Sequence, residues 1–60
     1  MIFEGSLVEH IYLGDVGVVV KTYPPTMYTG RIYEVMWQRG KKSTLVGPRE
    51  IKLLDKPTNV

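Results

Sequence analysis

Ser6, Ser43, His10 and Asp15 are the residue types from which a nucleophile, a base and an orienting carboxylate are assembled. Their spacing does not bring them together. Neither serine lies in a Gly-x-Ser-x-Gly turn, and the single histidine has no second His and no Cys to complete a metal-ligand set. His10 reads first as a packed or edge side chain and second as a ligand or base. The Gly14-to-Gly17 pair is not a phosphate loop, because it lacks the Lys-Ser/Thr pair and a following helix. These residues point to a chain that is not an enzyme and that carries no cofactor or metal.

Residue types suited to binding form two groups. Arg39, Lys41 and Lys42 stand together around Gly40, where a cationic tip can meet phosphates or carboxylates or can simply protect a strand edge. Tyr23, Met27, Tyr28 and Arg31 surround a Pro-Pro loop and are the types enriched at protein interfaces. Tyr12, Tyr23 and Tyr28 can form a shared aromatic patch or merely cover a small core. Trp37 is in phase with Tyr33 and Val35, which reads as burial rather than as a stacking platform.

The elements that position these residues are strands. Tyr33, Val35 and Trp37 alternate with Glu34, Met36 and Gln38, so a pleated strand sends the large residues to one face. Ser6 to Leu13 alternates Val8, His10 and Tyr12 against Leu7, Glu9 and Ile11, which suits a first strand with two partly covered faces. Gly14-Asp15 interrupts, and the β-branched run Val16 to Tyr23 makes a second strand. Gly17 inside it marks a bulge or a close backbone approach. Pro24-Pro25 ends that strand and opens a loop through Gly30. A third strand from about Arg31 to Trp37 turns at Gln38-Arg39-Gly40-Lys41 into a fourth, Lys42 to Val46. Gly47-Pro48 stops the pairing, Pro48-Arg49-Glu50 fits one 3₁₀ turn, and Ile51 to Leu54 is the last strand, with Ile51 and Leu53 on one face. This predicts an all-β, five-stranded barrel over residues 1–55, with a tail at 56–60 containing Pro57.

Sixty residues make one domain, and a chain this short buries only about 60% of the surface its unfolded form exposes. With no Cys and one His, neither a disulfide nor a zinc site can staple it, so the core must suffice or a partner must help. A hydrophobic fraction of 43% with 23% charged residues is that of a folded globular chain. The longest apolar run, around Val18-Val19-Val20, is far short of the roughly 20 residues of a membrane span, and Glu4 stands where a signal peptide would be basic. No membrane partner is expected, and absent Cys is compatible with the cytoplasm. A net charge of +2 permits an acidic partner without demanding one.

Gly5-Ser6-Leu7-Val8 followed by Gly14-Asp15-Val16-Gly17-Val18-Val19 resembles the opening of KOW modules. Tyr33-Glu34-Val35-Met36-Trp37 before Arg39-Gly40-Lys41 resembles the Tyr-x-Val-x-Trp hairpin of Tudor-like barrels. Gly47 to Leu54 is similar to the 3₁₀ turn and closing strand of Src-homology-3 barrels. Together they resemble the Src-homology-3-like small barrels, and the hairpin also resembles small accessory proteins of tailed phages. The resemblance implies a non-enzymatic adaptor that binds a protein or its own copies, in a host cytoplasm or virion if phage-encoded. The KOW likeness implies nucleic-acid binding as the alternative. The acidic, aromatic-rich loop of proline-peptide-binding domains is here reduced to Leu13-Gly14-Asp15. A fainter likeness to plasmid type II dihydrofolate reductases implies an oligomeric pore enzyme, but Thr44-Leu45-Val46 stands where their Val-Gln-Ile-Tyr motif would be.

Overall fold

A computed structural model describes residues 2–54; the expected tail at 56–60, with Pro57, lies outside the described residues. The chain forms β1 (Leu7–His10), β2 (Val16–Tyr23), β3 (Ile32–Trp37), β4 (Ser43–Val46) and β5 (Ile51–Leu53). All neighbours pair antiparallel in the order β4-β3-β2-β1-β5. The all-β class and the five antiparallel strands are therefore as the sequence predicts. β4 and β5 are the two edges and do not pair with each other, so the sheet is open rather than a closed barrel.

The core nonetheless draws on every strand: Val8, Val19, Tyr33, Val35, Trp37, Val46 and Ile51 form one buried cluster, with Ile2 packed against it. A single flat sheet cannot bury residues from both of its edges in one cluster, so the sheet curls about its inner face. Cross-strand register produces this. Val8 faces Gly17, Gly17 faces Trp37, Val19 faces Val35, Tyr33 faces Val46, and His10 faces Ile51. Trp37 is buried in the cluster, and its Nε1–H donates to Thr44 Oγ1 at 2.7 Å. That bond satisfies the one polar group the indole brings inside.

Gly17 is the close approach rather than the bulge. A Cβ there would lie 2.6 Å from Val35 Cγ1, so β2 and β3 meet this closely only because the side chain is missing. The bulge falls between Val19 and Lys21, where one residue on β2 has no opposite number on β3. The extra residue reverses the alternation of β2. Thr22, rather than Lys21, then faces the core residue Tyr33, and the ammonium stays in solvent.

β1 stops at His10, three residues earlier than its alternation predicts. The imidazole Nδ1 accepts the N–H groups of Tyr12 and Leu13 at 3.2 and 3.3 Å, and Gly14, at φ 79°, donates to the His10 carbonyl. Ile11, Tyr12 and Leu13 thus form a tight turn and are exposed. At the other end of the chain Glu50 N–H donates to Gly47 O, and Glu50 Oε2 accepts from Gly47 N–H at 3.1 Å. This single self-closed turn stands where a 3₁₀ turn is predicted.

Candidate functional site

β3 separates the two predicted groups of binding residues. Tyr23, Met27, Tyr28 and Arg31 lie at its N-terminal end, whereas Arg39, Lys41 and Lys42 lie past its C-terminal end. Six residues of strand put about 17 Å between those ends. The sequence-predicted residues therefore make two surfaces, not one.

In the first surface, Met27 and Tyr28 are 87% and 88% exposed. Thr26 folds the loop beneath them: its Oγ1 accepts the N–H groups of Tyr28 and Thr29, and its own N–H donates to Thr29 O. Tyr23 is half-buried opposite Ile32, with its hydroxyl donating to Glu34 Oε1 at 3.3 Å and Lys21 Nζ 5.3 Å over its ring. Arg31 stands on the rim of an open groove of about 850 Å³ lined by Ile2, Phe3, Thr22, Tyr33 and Leu53. Tyr12 sits at the far end of β2 from Tyr23, so the three tyrosines do not share a patch.

The second surface is less cationic than the sequence reads. Arg39 Nε lies 3.5 Å from Asp15 Oδ1. Lys41 takes φ 51°, a left-handed backbone that side chains rarely adopt, immediately after Gly40 at φ 78°. The side chains of the triad types bond elsewhere, although the His10 N–H donates to the Asp15 carbonyl; Ser43 Oγ donates to Glu34 Oε2 at 3.1 Å. Ser6 Oγ accepts the Phe3 N–H, Asp15 faces Arg39, and His10 uses Nδ1 on the turn while Nε2 approaches Glu50 Oε1 at 3.7 Å. The ring of His10 lies 5.7 Å from that of Trp37, which makes it a packed side chain. Among the described residues no three His, Cys, Asp or Glu side chains converge to hold a metal ion. No helix there is long and apolar enough to cross a membrane.

A third surface lies on the outer face of the sheet. Leu7 on β1 is opposite Val18 on β2, which is opposite Met36 on β3. These three, 41%, 37% and 42% exposed, form an unbroken apolar row across the three strands. Val16, Gln38 and Lys41 complete a groove of about 580 Å³ along that row. Val20 and Leu45 are exposed as well. The signal for this face is present in the chain: β2 is apolar in both phases, as in strands covered on both faces, whereas a half-covered strand alternates. Only one of its faces is covered here.

Comparison with protein-family models, with curated proteins and with solved structures finds no match to this chain.

Proposed function

We propose that this protein is a non-enzymatic binding module whose partner is another protein surface, its own copies included. The observation that carries this reading is the Leu7-Val18-Met36 row, an apolar face on a chain whose buried core, among the described residues, is seven side chains and which has no disulfide. Large exposed apolar patches on small soluble domains mark interaction sites. The Pro24-to-Gly30 loop, with Met27 and Tyr28 displayed on a folded turn, adds a second contact of the kind interfaces favour. Tyr23 and Arg31 flank that loop. Lys41 borders the apolar row, while Arg39 and Lys42 line a separate open pocket with His10 and Glu50.

The Src-homology-3-like assignment belongs to the same proposal. The strand order β4-β3-β2-β1-β5, the bulged β2 and the single turn before β5 support it.

The test is site-specific photo-crosslinking in expressing cells. A benzophenone side chain placed at Val18, at Met36 or at Tyr28 is expected to yield a protein adduct, whereas the same group at Arg49, on the turn before β5, is not. If none of the three positions gives an adduct above that of Arg49, the binding-module reading is wrong.

A further inference from the structure

Lys41 lines the outer-face groove on its β3 side and Glu9 stands on the same face of β1, on the opposite side, so the charge pattern of the face is self-complementary. Two residues along from the apolar row, and on the same face, Glu9 on β1 is opposite Val16 on β2, and Val16 O accepts from Gln38 N–H on the β3 side. The row Glu9-Val16-Gln38 therefore runs parallel to Leu7-Val18-Met36, with a carboxylate at the β1 rim and Lys41 at the β3 rim. Glu9 already contacts Lys52 on its outer side at 3.7 Å and keeps a second oxygen for another cation.

We propose that the face is covered by a second copy of this chain, sheet on sheet, about a two-fold axis running along β2. This rests on the binding-module reading and names its partner. Such an axis lays β1 of each copy over β3 of the other. Leu7 then meets Met36 of the second copy, Val18 meets Val18, and each Glu9 comes to the Lys41 of the other copy. An isologous contact of this kind closes at two chains. Lys21 stands on β2 itself, three residues from Val18. Its ammonium already turns onto the Tyr23 ring, away from the apolar row.

Charge complementarity favours this occupant over an unrelated apolar segment. A partner strand without an anion would leave Lys41 unmatched, and one without a cation would add nothing to Glu9. Lys41 also holds its place at the groove in a left-handed backbone that glycine would adopt without strain. The row brings only three partly exposed apolar residues per copy into the contact, far fewer than the roughly 20–30 residues a side of a standard stable interface. The dimer is accordingly weak and reversible, with dissociation in the range of about 10 μM to 1 mM.

Sedimentation velocity and light scattering on the full chain, across that concentration range, test the proposal. A reversible monomer–dimer equilibrium is expected. Val18→Lys, on an exposed face position, is expected to leave the circular dichroism spectrum unchanged and the chain monomeric. Glu9→Lys and Lys41→Glu each reverse two symmetry-related contacts and are expected to weaken the dimer about tenfold, since each exposed pair contributes modestly. The double variant carries both reversals in the same chain and is expected to restore it. Glu9→Gln, which does not repel Lys52, serves if Glu9→Lys fails to fold, and is expected to weaken the dimer about threefold.

A chain that stays monomeric to 1 mM overturns the proposal, as does a dimer indifferent to Val18→Lys. So does a double variant no tighter than its single parents, or an assembly that grows past two copies. These failures are separable from failure of the binding-module reading. A crosslinked adduct at Val18 of mass other than twice 6.9 kDa keeps that reading and removes the second copy as the occupant.

Discussion

Gly17→Ala fills the close approach of β2 to β3. The added methyl would sit 2.6 Å from Val35 Cγ1, 2.7 Å from Met36 O and 2.8 Å from Trp37 Cε3, all below the 3.0 Å that real Cβ atoms respect. None of the three neighbours yields easily. Val35 and Trp37 are core residues, the indole is tied to Thr44, and Met36 O belongs to the β3 backbone. Overpacking a tight core by a methyl costs about 1–3 kcal/mol, and a clash that includes main chain belongs in the upper half of that range. Losing glycine from the unfolded chain offsets about 0.4–1 kcal/mol. The net destabilisation is about 1–2.5 kcal/mol.

For sixty residues the whole folding free energy is about 3–9 kcal/mol, so this is a large share of it. At about 4–8 °C per kcal/mol, the melting temperature drops by about 5–20 °C. Gly30→Ala is the matched control. Its Cβ meets nothing within 4 Å and its φ lies outside the left-handed region, so it is expected to leave stability unchanged or raise it by up to about 1 kcal/mol. Thermal and urea unfolding followed by Trp37 fluorescence measure both. Samples are kept near 5 μM, because self-association would raise the apparent stability. A melting temperature for Gly17→Ala at or above that of the parent refutes the reasoning. Equal effects of the two substitutions refute it too.

His10→Phe keeps a ring against Trp37 but removes the acceptor of the Tyr12 and Leu13 N–H groups, so about 1 kcal/mol of stability is expected to be lost. Amide hydrogen exchange should accelerate at Tyr12 and Leu13 first, and unchanged exchange at both would show that the imidazole does not hold the turn. Lys41→Gly relieves a left-handed side-chain residue and is expected to raise stability by about 1 kcal/mol while weakening self-association. A variant that is more stable and still dimerises as the parent does would separate Lys41 from the interface.

Much of the fold is readable in local patterns, because a pleat alternates side chains with period two whatever surrounds it. Tyr33-Val35-Trp37 names the core face of β3, the β-branched run names β2, and Pro24-Pro25 and Gly47-Pro48 mark where pairing ends. Pattern fails where one side chain competes with the ladder. Ile11-Tyr12-Leu13 continues the alternation of β1, yet the His10 imidazole captures the N–H groups of Tyr12 and Leu13 and folds the segment into a turn. It fails also at the bulge. Glycine makes Gly17 the natural candidate, but keeping Lys21 out of the core requires the extra residue at Val20.

The amino-acid sequence by itself determined the strands, the inward aromatic and aliphatic set, the absence of any disulfide, and the residue types available for binding. Tertiary structure alone decided which of those residues act together. Chain neighbours such as Tyr23 to Arg31 stay close in space. Leu7, Val18 and Met36, far apart in the chain, become one surface only through the register of three strands. Curling buries the inner face and leaves the outer face uncovered, because five short strands can make one core and cannot enclose a second.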